Sequence, residues 1–215
     1  MADWIRRSFS SVGLTQIPTG RHLPALQDRF GGGTVMLCID VSGSMDGRPV
    51  LEAVRGARAF VDEAVEARYR VGVLLWNSDV AALAEPTENG NAARRLLDRT
   101  KNASGGTSLL RPLEKCHEIL DRFKAAGQDR VVAIFGDGDL GPRERVLAKV
   151  AQMKAEDIRF VTRGLGSIAA REFAAVSGEK QPSVAVGGVD DLAAGIAAMA
   201  ASLKPITAVR EAHQR

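Results

Sequence analysis

The chain has 215 residues, 45% of them hydrophobic and 26% charged, the composition of one globular domain; it excludes disorder along the whole length. The formal charge of +3 comes from scattered arginines and lysines, and the pairs Arg6-Arg7 and Arg94-Arg95 are too short for the basic stripe of a nucleic-acid binder. No apolar run approaches the roughly 20 residues of a spanning helix, and the opening stretch MADWIRRSFSSVGLTQIPTG lacks the apolar centre of a signal peptide. The expectation is a soluble cytoplasmic protein that meets neither nucleic acid nor membrane.

Residues 1–33 show no sustained periodicity and end in Gly31-Gly32-Gly33, so they read as an extension, with Trp4 and Phe9 available to pack on the domain or on a partner. Beyond it two periods alternate. Thr34–Ile39, Arg70–Trp76, Arg130–Phe135 and, less cleanly, Ile158–Thr162 are short apolar runs of the kind that form strands buried on both faces. Val80–Leu83 is a shorter strand candidate, placed to form a hairpin with the run before it.

Between the runs lie helical stripes. The first is Leu51, Val54, Val61 and Val65, with Pro49 suited to the opening turn. The second is Leu109, Leu113, Cys116, Leu120 and Phe123. Val146, Val150 and Met153 follow, opened by Pro142. Leu192, Ile196, Met199 and Leu203 close the set behind a cap at Asp190 or Asp191. Strands alternating with helices predict an α/β sandwich around a mostly parallel sheet. Cys38 and Cys116 fall on apolar positions without a CxxC partner, so both read as small buried hydrophobes.

Chemistry concentrates at three loops. The first strand runs out into Asp40-Val41-Ser42-Gly43-Ser44-Met45, one carboxylate and two hydroxyls within five residues. The strand ending at Phe135 continues into Gly136-Asp137-Gly138-Asp139, and Ser104-Gly105-Gly106-Thr107-Ser108 precedes the second helical stripe. Oxygen donors with no His or Cys among them select hard divalent cations. In an open α/β sheet, ligands bind outside the carboxyl ends of strands where the strand order reverses, and the loops after Asp40 and Asp137 face one crevice if their strands are neighbours.

These residues resemble the von Willebrand factor type A family. Asp40, Ser42 and Ser44 match its D-x-S-x-S, Thr107 in Gly105-Gly106-Thr107-Ser108-Leu109 its threonine, and Asp137 in Phe135-Gly136-Asp137-Gly138 its later aspartate. Val73–Ser78 resembles the strand after the first helix, although Trp76 stands where Phe is usual. Phe160–Gly166 with Arg171–Gly178 resembles the fifth strand and a short helix.

The resemblance implies a three-layer, doubly wound, Rossmann-like fold, with a mostly parallel six-stranded sheet and one antiparallel edge strand. It covers residues 34–204 and leaves 205–215 as a tail. It also implies a complete metal-ion-dependent adhesion site at Asp40, Ser42, Ser44, Thr107 and Asp137, holding Mg²⁺, with Mn²⁺ or Ca²⁺ as alternates. Such a cation keeps an open position for the Asp or Glu of a partner protein, which makes the chain a binding module rather than an enzyme. The intracellular bacterial branch works beside AAA-type ATPases, kinases or phosphatases in stress and conflict systems, and such partners are expected here by analogy.

Competing readings start from single motifs. Ser44 or Asp46 as a cap of the next helix, and Thr107 as a cap of the helix after it, are the bland alternatives. Gly164-Leu165-Gly166-Ser167-Ile168-Ala169 fits a dinucleotide fingerprint, but it stands too close to the end of the chain to open a full nucleotide-binding sheet. A phosphoryl hydrolase using the same cation would draw its base from Asp46 or Asp139. His22, His117 and His213 form no cluster in sequence and are expected at the surface.

Overall fold

The computed structural model describes residues 32–124, 128–179 and 185–203. The expected extension lies outside them except for Gly32 and Gly33, and so do His22, His213 and the tail at 205–215. Strands and helices alternate except for one strand pair and one helix pair: β1 (Gly33–Asp40), α1 (Arg48–Glu66), β2 (Tyr69–Trp76), β3 (Val80–Thr87), α2 (Asn91–Arg99), α3 (Leu110–Asp121), β4 (Asp129–Gly136), α4 (Arg143–Ala155), β5 (Ile158–Leu165), α5 (Gly166–Ser177), β6 (Ala185–Val186) and α6 (Leu192–Ala198).

The strands form one six-stranded sheet in the order β3-β2-β1-β4-β5-β6. All neighbouring pairs are parallel except β2–β3, which pair antiparallel as the hairpin predicted for that edge. The order reverses between β1 and β4, which lie in register from Gly33 opposite Asp129 to Ile39 opposite Phe135. All eight residues of β1 are buried, as expected of a strand covered on both faces. Val35, Leu37 and Ile39 face one core with α1 and α6; Met36 and Cys38 face the other with α3, α4 and α5. Cys38 and Cys116 meet there with their Sγ atoms 3.3 Å apart. The contact with Cys116, together with burial, holds the Cys38 thiol well above the usual range.

The predicted stripes hold for α3, α4 and the last helix, where Leu113, Cys116, Leu120, Val146, Val150, Met153, Leu192, Ile196 and Met199 are buried. The stripe for α1 needs correction. Its buried face is Val50, Ala53, Gly56, Ala57, Phe60, Val61 and Ala64, while Leu51 is 53% exposed and Val54 and Val65 are half-buried. Small residues form that face because α6 approaches closely: a β-carbon on Gly56 would lie 2.5 Å from the Ala193 carbonyl oxygen. Gly56→Val is expected to destabilise the fold by about 1–3 kcal/mol through overpacking. Chemical denaturation checks it; a midpoint equal to the parent's would show that the two helices are free to separate.

Helix α2 carries no stripe that the sequence reading detected, since only Ala93 and Leu97 are buried in it. His117 is a second correction, for it is 8% exposed. Its Nε2 lies 3.1 Å from a Glu156 oxygen and its Nδ1 2.6 Å from Lys149 Nζ. Charged side chains from α4 and the turn after it fold over the ring and remove it from water. Among the described residues, no helix is long and apolar enough to cross a membrane.

Candidate metal centre

The carboxyl ends of β1 and β4 flank the point where strand order reverses, and the polar loops predicted from sequence meet there. Asp40 is the last residue of β1 and fully buried. Its Oδ1 accepts the Ser42 backbone N–H at 2.8 Å, while Oδ2 is buried with no hydrogen-bond partner. Burial pushes the Asp40 carboxyl up to about 6 against the hydrogen bonds of Ser42, and the charge of nearby Asp137 adds to the rise. A fixed carboxylate with an unsatisfied buried oxygen, beside a second carboxylate, calls for positive charge.

The hydroxyls surround that position. Ser42 Oγ and Ser44 Oγ are 3.2 Å apart, and Ser44 Oγ donates to Asp137 Oδ2. Ser42 is buried, Ser44 exposed and Asp137 half-buried, so the cluster is anchored inside and open to solvent on one side. Gly136 leaves the space that it needs: a β-carbon there would stand 3.0 Å from Asp40 Oδ2 and 3.2 Å from the Phe173 ring.

Thr107 stands on an adjoining loop. That loop is tied to the Asp40 loop by Ser104 N–H to the Val41 carbonyl at 2.8 Å, by Gly43 N–H to the Gly105 carbonyl at 3.0 Å and by Ala103 N–H to Asp46 Oδ1 at 3.0 Å. Its half-buried side chain makes no hydrogen bond to any described residue. The structure thus joins Asp40, Ser42, Ser44 and Asp137 through direct contacts and brings the backbone beside Thr107 to the same loop.

The capping alternatives fail. Helix α1 has Gly47 at its N-cap and α3 has Leu109, and neither cap makes a side-chain hydrogen bond. Ser44, Asp46 and Thr107 are therefore not spent on helix ends. The glycines of the dinucleotide-like motif serve packing, since a β-carbon on Gly164 would lie 2.5 Å from the backbone of Ala169 in α5. Asp139 is exposed and accepts the Gly141 N–H at 2.8 Å, so both acids open to a hydrolytic reading already hold loop backbone.

Two residues escaped the sequence reading. Asn77 Nδ2 donates to the Ser104 carbonyl at 2.9 Å, and the Asn77 carbonyl accepts Ser108 N–H at 2.7 Å. Ser78 Oγ accepts Gly106 N–H at 3.1 Å. Together they clamp the Thr107 loop from the end of β2. Their signal was a polar Asn-Ser pair at the carboxyl end of a buried strand, beside the two strands already under suspicion.

A doubly wound sheet with acids and hydroxyls gathered at its switch point belongs to the class of α/β domains that hold ligands outside the strand ends. Within that class, residues 35–139 match the family model described as von Willebrand factor type A domain. All five candidate residues fall inside the match.

Solved structures with the same fold include SpaC, a pilus adhesin from Lactobacillus rhamnosus GG (TM-score 0.65, 12% identity). They also include the conserved hypothetical protein BatB from Bacteroides thetaiotaomicron (0.61, 14%) and a von Willebrand factor type A protein from Catenulispora acidiphila (0.64, 17%). Each similarity covers 80% of this chain; it covers 30% of the adhesin, 98% of BatB and 43% of the Catenulispora protein. The chain thus spans about a third of the adhesin's length. At these identities the likeness is one of fold. No curated protein matches.

Proposed function

We propose that this chain is a divalent-cation-dependent protein-interaction module. Asp40 and Asp137 supply the charge that holds Mg²⁺, or Mn²⁺ or Ca²⁺ in its place, and Ser42, Ser44 and Thr107 supply neutral oxygens. The observation that carries this reading is the buried, unpartnered Oδ2 of Asp40 beside a second carboxylate and two hydroxyls, all oxygen donors of the kind hard cations select. When bound, the cation supplies an electrophilic point for the Asp or Glu of a partner protein. The chain's own residues position it: Asp40 is locked by the Ser42 N–H, Asp137 receives the Ser44 hydroxyl, and Asn77, Ser78 and Asp46 steady the loop of Thr107. Domains of this family commonly mediate protein–protein interaction, in keeping with this reading.

The same proposal extends to a bacterial cytoplasmic setting, with a partner among AAA-type ATPases, kinases or phosphatases; it rests on analogy with the intracellular branch of the family.

Titration calorimetry tests the site. The chain is expected to give heat with Mg²⁺ or Mn²⁺, and the double variant Ser42→Ala, Ser44→Ala to bind at least tenfold more weakly. Indistinguishable isotherms for the two proteins would remove the cation from the function and leave the surface alone to recruit partners.

A further inference from the structure

Beside the candidate cation site runs a groove of about 460 Å³. It begins at Val41, between Asp40 and Ser42, and passes over Leu75 at the end of β2 and Leu96 on α2. It ends at Arg99, Lys101 and Asn102, where α2 gives way to the Thr107 loop. No carboxylate lines it. Arg99 and Lys101 are exposed and have no ion-pair partner among the described residues, whereas Arg94 on the same helix is paired with Asp62. The floor is therefore aliphatic and the rim cationic, and the near end lies at Val41 and Ser104, on the two loops that carry Asp40 and Thr107.

We infer that this groove is the second half of the partner site and takes an acidic linear segment of the partner protein. An aliphatic side chain of that segment seats over Val41, Leu75 and Leu96. One carboxylate meets Arg99 and Lys101, and a neighbouring one reaches the cation. The assignment rests on the cation reading above. Charge complementarity selects the occupant, since two unpaired cations beside a cation-holding cluster favour a segment with more than one acid. The chain's own ends fit poorly: residues 1–31 carry four arginines against two aspartates, and residues 204–215 carry two arginines and a lysine against one glutamate.

Backbone amide NMR on the full chain tests both readings separately. The probes are Mg²⁺ alone, then acetyl-Asp-Leu-Asp-Leu-Asp-amide in Mg²⁺, then the same peptide with Asn for every Asp. Mg²⁺ alone is expected to shift the amides of residues 41–44 and 137. The acidic peptide shifts those of 96–104, and the Asn peptide does not. Charge reversal in R99E/K101E weakens the acidic peptide at least tenfold, while Lys101→Arg keeps its binding and both variants keep their response to Mg²⁺.

If Mg²⁺ moves the site amides but millimolar acidic peptide leaves 96–104 still, the groove assignment falls and the cation reading stands. Equal binding by R99E/K101E has the same consequence. Peptide shifts in the groove with no response to Mg²⁺ at residues 41–44 overturn the cation reading and, with it, the joint site. A thymidine octanucleotide that shifts 96–104 as strongly as the peptide does would make the groove a general polyanion surface and overturn the peptide assignment.

Discussion

Asp40→Asn is expected to raise the melting temperature of the chain in chelator while abolishing the further rise that Mg²⁺ gives the parent. The two effects have one cause. Asp40 is fully buried, its Oδ2 has no hydrogen-bond partner, and a second carboxylate lies close by. Without a cation that charge opposes folding, and a buried charge left uncompensated costs on the order of 1–3 kcal/mol or more. The amide keeps the acceptor for the Ser42 N–H and removes the charge. For a domain of this size each kcal/mol moves the midpoint by roughly 2–4 °C. Cation binding adds about 2.7 kcal/mol to the parent at a hundred times its dissociation constant, and the variant loses that gain. Thermal melts in EDTA and in Mg²⁺ separate the two terms. A variant that Mg²⁺ stabilises as much as the parent would remove Asp40 from the site.

Gly136→Ala is the second large effect, and it acts by volume alone. The residue follows Phe135 at the end of β4, and a β-carbon would reach within 3.0 Å of Asp40 Oδ2, 3.1 Å of Asp40 Cβ and 3.2 Å of the Phe173 ring. Nothing in its backbone conformation requires glycine, since its φ is not positive. The neighbours must yield by a few tenths of an ångström, and Asp40, held by β1 on one side and by the Ser42 N–H on the other, has little room to do so. Displaced carboxylates and their supports typically change metal affinity by about 10–100-fold; this variant is expected to fall in that range for Mg²⁺, with a stability loss of roughly 1–2 kcal/mol. Calorimetry beside a denaturation curve measures both. Unchanged affinity would mean that the space beside Asp40 Oδ2 is not used by an ion.

Both variants leave the hydroxyls intact, so they complement the serine double variant, which removes neutral donors and keeps the charge. If all three weaken Mg²⁺ binding while Gly56→Val affects stability alone, the site and the scaffold are separable. That separation is expected because Gly56 lies where α1 meets α6, and not at the strand ends that carry the cluster.

Much of this molecule was legible in its residues. Continuous apolar runs declared the buried strands because a strand covered on both faces has no polar position to spare. Alternation of those runs with helical stripes gave the α/β class, and the order of Asp40, Ser42, Ser44, Thr107 and Asp137 pointed to one candidate site, since loops at strand ends carry their chemistry in local sequence. The face of α1 was misread because a helix that packs tightly buries Ala and Gly, which hydrophobic periodicity underweights. Helix α2 escaped because it covers the sheet with only two buried side chains.

What only the folded chain decided was adjacency. Nothing local states that β1 pairs with β4 across 88 residues of intervening sequence, between Asp40 and Asp129; strand pairing and crossover direction are settled by burial over the whole domain. That pairing is the physical reason the two aspartates share one crevice, while the placing of β2 on the other side of β1 lets Asn77 and Ser78 clamp a loop 28 residues away.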